Sequence, residues 1–290
     1  MKKVQHTAPA RGLALIAVLW IVAALAIGVT GLTQSVRSET RTLIAQRQQL
    51  QARALGEAAI ALAVRQLGQQ PYRPPWQRLD QSYQGYDIAV EVAVLSGWIN
   101  PNQASAPLLE RLYQVAGGLA PGAAAALAQA TVKIRNEADS EGRSRGFDSP
   151  ADLLRVPGVD YDLYARLAPL LSTAARGASG VNPRAAPLPV LLVLTLGNQA
   201  QAQALYQQRL QPAGPNVSAA PSMDTSSLPP DIVSQALGTR YRLQARVPLD
   251  DGAQAMVVRD IELRPDARAG LPWRVLGADE WMEPRPTPDA

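Results

Sequence analysis

A charge-free stretch near the N-terminus constrains this chain more than any other feature. From Gly12 to Val36 there are 25 consecutive residues without a charged side chain. At the helical rise of about 1.5 Å per residue they reach about 36 Å, enough for a hydrocarbon core of about 30 Å. Lys2, Lys3 and Arg11 precede the run, and no acid accompanies them. The positive-inside rule therefore puts the N-terminus in the cytoplasm and the body across the membrane. The helical signal does not stop at Val36. Arg37 to Leu67 contain no proline and a single glycine, Gly56, among Ala, Leu, Gln, Arg and Glu. Leu43, Ile44, Leu50, Ala54, Ala58, Leu62 and Val64 recur at helical and longer spacings. The pattern predicts one helix of about 55 residues, half in lipid and half packed on a soluble domain. Gly68, Pro71, Pro74 and Pro75 end it.

Composition narrows the chemistry. The 28 basic residues exceed the 24 acidic ones by four, and three of that excess lie in the leader. The rest is nearly neutral and gives no hint of the basic face a nucleic-acid binder presents. Cysteine is absent and His6, in the leader, is the sole histidine. Thiol nucleophiles, disulfides, Cys- or His-ligated metals and His-based triads are excluded from the body. The chain is expected not to be an enzyme.

Three readings of the N-terminus compete. A Sec signal peptide would use Ala24-Leu25-Ala26 as its small-residue cleavage site. A signal anchor needs only the apolar run. A type IV prepilin-like leader is a short basic peptide ending in Gly, and Arg11-Gly12 followed by Leu13-Ala14-Leu15-Ile16 supplies it. The long amphipathic continuation favours the third.

Gln69 to Arg78 read as a Pro-rich connector. Tyr86, Ile88, Val90, Val92 and Val94 then alternate with smaller or polar residues, a half-buried strand expected to lie on the helix. Helices are expected over Pro107–Ala116 and Pro121–Asn136. Ser149-Pro150-Ala151-Asp152 opens SPADLLRV, Pro157-Gly158-Val159 turns the chain, and Asp160 starts a helix through Leu171. That is the outline of a helix-hairpin-helix unit. Ile99-Asn100-Pro101 recurs 82 residues later as Val181-Asn182-Pro183, each followed by Ala, Pro and an aliphatic pair. Such an Asn most simply closes a turn or caps a helix. Helices at about 187–196 and 198–210 precede a Pro- and Ser-rich loop to Pro230. Tyr241, Leu243, Ala245 and Val247 face one way, and Asp250-Asp251-Gly252 turns the chain. Ala255, Val257, Ile261 and Leu263 return, interrupted by Arg259, as a hairpin. Trp273 to Leu276 could add a third strand, and the tail from Pro284 is expected to be disordered.

Other candidate chemistry has a plain structural reading. In the helix-hairpin-helix outline, Asp160 and Asp162 would repel phosphate where DNA would touch, while suiting their own helix dipole. Glu137, Asp139 and Glu141, with Asp148 nearby, have oxygen-ligand spacing for Ca²⁺, yet the EF-hand pattern is missing and a solvated loop is favoured. Asp250 and Asp251 are turn residues rather than a glycosidase pair, Trp20 is lipid-facing or packing bulk, and Glu57 with Arg53 makes a surface i−4 pair.

RGLALIAVLWIVAALA, SVRSETR, RALGEAAIALAVRQL and the insert SPADLLRVPGV together resemble the minor pseudopilin K family (general secretion pathway protein K) of bacterial type II secretion. The resemblance covers nearly the whole chain. It implies an α+β, type IV pilin-like fold: a long N-terminal transmembrane helix packed on a small antiparallel sheet, with an inserted all-helical domain. The implied domains are a leader (1–12), a transmembrane segment (13–36), and an amphipathic helix with the first strand (37–98). The inserted domain (99–180), the rest of the pilin-like domain (181–283) and a tail (284–290) follow. It further implies cleavage between Gly12 and Leu13 by prepilin peptidase, with methylation at Leu13. Ala17, the fifth mature residue, stands where most pilin-like proteins carry Glu, and family K lacks that Glu too. The expected role is structural, at the tip of a periplasmic pseudopilus that supports export of folded proteins across the outer membrane. Expected partners are I- and J-type minor pseudopilins, the inner-membrane secretion platform and the membrane, not nucleic acid. No cofactor is expected; the resemblance implies calcium binding in some family members, but no ligand set maps onto this sequence residue by residue. The rival reading is a membrane-anchored DNA-uptake protein using its helix-hairpin-helix unit.

Overall fold

The fold is taken from a computed structural model, which describes residues 11–138, 145–175, 179–210, 223–249, 252–264 and 270–283. Two units divide the chain, Met1–Ala52 and Arg53–Ala290. One helix, α1 (Arg11–Gln69), runs for 59 residues and supplies the described part of the first unit. There Val18, Leu19, Trp20, Ile21 and Val22 are exposed, as are Leu43, Ile44 and Leu50. The side chains of 11–17 and 23–38 lie outside the described residues, and with them most of the expected membrane segment, 13–36. Among the described residues no helix is long and apolar enough to cross a membrane.

In the second unit α1 carries a buried stripe of Leu55, Ala59, Ile60, Ala63, Val64 and Leu67. Those intervals follow the 3.6-residue period of a helix laid on a flat surface. The stripe sits one residue away from the expected Ala54, Ala58 and Leu62, of which Ala54 is exposed. In an Ala-rich segment most positions look alike, so the side contacts decide the rotation.

The surface beneath is an antiparallel sheet in the order β1-β2-β3-β4-β5. Its strands are Trp76–Tyr83, Tyr86–Val94, Arg240–Pro248, Gln254–Glu262 and Arg274–Glu283. The alternating face is as read: Ile88, Val90 and Val92, with Tyr241, Leu243, Ala245, Val247, Val257 and Ile261, are buried on the helix side. β1 corrects the connector reading. Residues 76–78 are strand, and Leu79 pairs with Val90. The turn between β1 and β2 is tight, with Gln84 and Gly85 both at positive φ. The third strand expected at Trp273–Leu276 is longer, running through Glu283 with a bulge opposite Asp260/Ile261.

Between β2 and β3 the chain builds a helical layer. It contains α2 (Ala106–Arg111) continued by a wide turn over Leu112–Ala116, and α3 (Pro121–Asn136). A 3₁₀ turn over Pro150–Arg155 follows, then α4 (Tyr161–Leu167), α5 (Leu188–Leu194) and α6 (Gln199–Leu210). SPADLLR is thus a 3₁₀ turn rather than an α-helix. Val156, held extended ahead of Pro157, ends the segment after Arg155. One buried cluster joins these elements from Ile99 to Ile232 and crosses position 180.

The faint sequence repeat is a structural one. The Ile99 N–H donates to Leu170 O (3.0 Å) and the Ser172 N–H to Ile99 O (3.0 Å). The Val181 N–H donates to Ile232 O (2.9 Å) and the Ser234 N–H to Val181 O (2.8 Å). Asn100 Oδ1 accepts the Asn102 N–H (2.9 Å), and Asn182 Oδ1 accepts the Arg184 N–H (3.1 Å). Their amide groups donate to Ala175 O (2.6 Å) and Ala236 O (3.2 Å). Each unit is closed by an arginine near the end of its second helix: Arg135 Nη1 donates to Ala104 O and Arg209 Nη1 to Ala186 O, both at 2.6 Å. Both Asn residues close turns, as read, and each also pins a returning segment far along the chain.

Gly56 marks the closest approach of α1 to the sheet. A Cβ there would lie 2.5 Å from Val257 Cγ2 and 2.7 Å from its Cβ. Helix propensity alone says Gly→Ala gains about 1 kcal/mol; the contact says otherwise. Gly56→Ala is predicted to lower the melting temperature of the full chain in detergent, and adding Val257→Ala to recover part of the loss. A rise in melting temperature for Gly56→Ala alone would contradict this packing.

Candidate functional site

Gly12, Leu13 and Ala17 fall in the first turns of α1, where the backbone is helical and the side chains lie outside the described residues. Trp20 is exposed. Of the acidic cluster, Asp139 and Glu141 lie outside the described residues. Among the described residues no group of three or more His, Cys, Asp or Glu could hold a metal ion. Asp250 and Asp251 also lie outside the described residues, and Gly252 follows at positive φ. In the helix-hairpin-helix outline Asp160 caps α4, Oδ1 accepting the Leu163 N–H at 2.8 Å. That carboxylate satisfies one of the donors at the N-terminus of α4 and adds negative charge there.

Two arrangements bring charged side chains together. The first couples helix to sheet. Arg259, read as an interruption of β4, is 5% exposed on the helix-facing side. Its Nε donates to Glu57 Oε1 at 3.0 Å and its Nη2 to the same oxygen. Nη1 donates to Val258 O (2.6 Å) and Asp279 O (3.1 Å). Glu57 therefore pairs across the interface with Arg259, not with Arg53, which faces Glu280 at 3.6 Å. A buried guanidinium is tolerable only with its donors satisfied, and here helix and sheet share the task.

The second couples the other sheet face to the helical layer through arginines. Arg240 Nη1 donates to Ala174 O at 2.8 Å. Arg242 lies 4.5 Å from the centroid of Trp98. Arg209 stands between Trp76 and Tyr206, at 4.7 and 4.6 Å from their centroids, and burial lowers the pKa of its guanidinium. Within the layer, the Tyr113 and Thr131 hydroxyls are 2.6 Å apart, and burial raises the pKa of the phenol. Where the helical layer lifts away from the sheet, a cleft of about 810 Å³ opens. Arg242, Val258, Asp260, Asp279 and Trp281 line it from the sheet; Tyr164, Pro187 and Pro189 line it from the helices.

No protein-family model matches the chain, and no curated protein matches it. Among solved structures it is similar to a chain of the GspK-GspI-GspJ complex from the enterotoxigenic Escherichia coli type 2 secretion system. That likeness is 15% identical in sequence, has a TM-score of 0.43, and spans 85% of this chain and 99% of the other.

Glu57→Ala leaves a buried guanidinium one partner short and is predicted to cost about 1.5 kcal/mol, since Glu57 is itself partly exposed. Arg53→Ala removes a half-exposed contact and is predicted to cost less than about 0.5 kcal/mol. Urea unfolding followed by circular dichroism measures both, and equal losses would contradict the assignment.

Proposed function

We propose that this chain is a structural, non-enzymatic minor pseudopilin of the K type in bacterial type II secretion. Under this reading it is a single-pass inner-membrane protein with a periplasmic body. The observation that carries the reading is one of continuity. Arg11-Gly12-Leu13 lies on the same helix, α1, whose last part, Arg53–Gln69, packs on an antiparallel sheet. A helix of that kind serves two tasks, polymer packing at one end and domain packing at the other. A Sec peptide removed at Ala26 would cut away the part of this helix that carries the Arg11-Gly12-Leu13 motif.

The proposed role is at the tip, with I- and J-type minor pseudopilins as partners and the secretion platform beneath. In a pilin-like stack a buried Glu at the fifth mature position meets the amino terminus of the subunit ahead. A charge in lipid is costly unless paired. Ala17 has none to pair, which suits a subunit with nothing ahead of it. The helical layer on the sheet adds bulk that further stacking would have to accommodate.

Co-expression with a prepilin peptidase is predicted to shorten the protein by twelve residues, leaving Leu13 first by mass analysis, and Gly12→Trp to block this. An N-terminus at Ile27 would indicate Sec processing and overturn the reading. Site-specific crosslinking in assembled pseudopili is predicted to find the chain at one end, joined to I- and J-type subunits, and Ala17→Glu to bring no gain in assembly. Copies spaced regularly along the shaft would refute the tip position.

A further inference from the structure

The cleft between sheet and helical layer has a charge imbalance and a shape that the pseudopilin reading does not use. Its one arginine, Arg242, is committed: Nε and Nη2 donate to Asp260 Oδ1 and Oδ2 at 2.7 and 2.8 Å, and Trp98 lies against its face. Two further carboxylates line the cleft, Asp148 from the helical layer and Asp279 from β5. Both are exposed, and neither carboxylate has an ion pair or hydrogen bond among the described residues. The cleft thus holds two uncompensated negative charges. Trp281, 43% exposed, and Tyr164 add aromatic surface on opposite sides. Aromatic faces beside free carboxylates favour a cationic side chain whose stem packs on the rings.

The backbone indicates what should carry that side chain. β5 is an edge strand, bonded to β4 on one side, and its Leu276–Asp279 segment lines the cleft. Its outer N–H and C=O groups have no strand partner among the described residues. The facing wall is rich in proline, with Pro150, Pro169, Pro187 and Pro189, which offers apolar contact and no N–H donors. An extended segment could pair with β5 and lay its side chains against that wall. The volume, about 810 Å³, lies in the range of specific ligand sites and admits a few residues.

We infer that this cleft binds an extended segment of a partner protein bearing an arginine or lysine. The cation is held between Asp148 and Asp279, and the backbone pairs with the outer edge of β5. The inference does not rest on the pseudopilin reading.

The test is an array of pentapeptides randomised around a fixed central Arg, Lys, citrulline or Glu, probed with the full chain in detergent micelles. Arg- and Lys-centred peptides should bind in preference to citrulline- and Glu-centred ones. Asp279→Asn alone should weaken the best peptide about fivefold, and Asp148→Asn/Asp279→Asn should abolish the preference. Asp162→Asn, an exposed acid away from the cleft, should leave binding unchanged. If the double variant fails to fold, Asp279→Asn and a wild-type titration against salt still decide. N-methylating the peptide backbone should also weaken binding. The inference is overturned by absence of binding, by equal binding of Arg- and Glu-centred peptides, or by wild-type affinity in Asp279→Asn.

Discussion

The contact on which the rest of the structure depends is the seating of α1 on β4 around Gly56 and Val257. The missing Cβ lets the helix lie close, and the neighbouring residue, Glu57, supplies the acceptor for buried Arg259. Apolar burial alone would hold an Ala-rich helix loosely, because its faces differ little from one another. One close approach and one charged contact fix its rotation and its position along the sheet. Burial of Leu55, Ile60, Val64 and Leu67 then contributes about 1.5–3 kcal/mol each.

With one face committed to α1, the opposite face is free for the insert between β2 and β3, and arginines make that junction. A guanidinium can stack on an aromatic ring and donate to a carbonyl in the same pose, as Arg209 does with Trp76 and Ala186 O. The same side chain closes the second repeat of the helical layer, so intramodule closure and docking on the sheet are linked through one residue. The contacts are discrete rather than continuous, and the cleft opens between them. A sheet with its second face covered presents a different surface from one left bare.

Much of this was legible in the sequence, for physical reasons. The strand Tyr86–Val94 alternates because one side is buried, and Pro121–Asn136 is bracketed by a proline start and a charged end. β1 was missed because Trp76-Gln77-Arg78-Leu79-Asp80 has few apolar residues and follows three prolines; its order comes from pairing with β2. The partner of Glu57 was misassigned because Arg53, four residues away, is local, whereas Arg259 lies 202 residues on. Only the fold can report that pair, although a lone arginine inside a strong strand was a signal that it needed an acceptor. The Asn-Pro repeat was visible, but the arginines that complete it, 31 and 23 residues beyond the carbonyls they reach, leave no local pattern. The cleft had no sequence signal at all, since its residues come from both layers.

The seating of α1 on the sheet makes residues 53–69 part of the folded domain rather than a stalk attached to it. Hydrogen–deuterium exchange on the full chain in detergent measures this directly. Amides of 53–69 should be as protected as those of β2 and β4, and should open together with them as urea is added. Rapid exchange of 53–69 beside a sheet that stays protected would contradict the account.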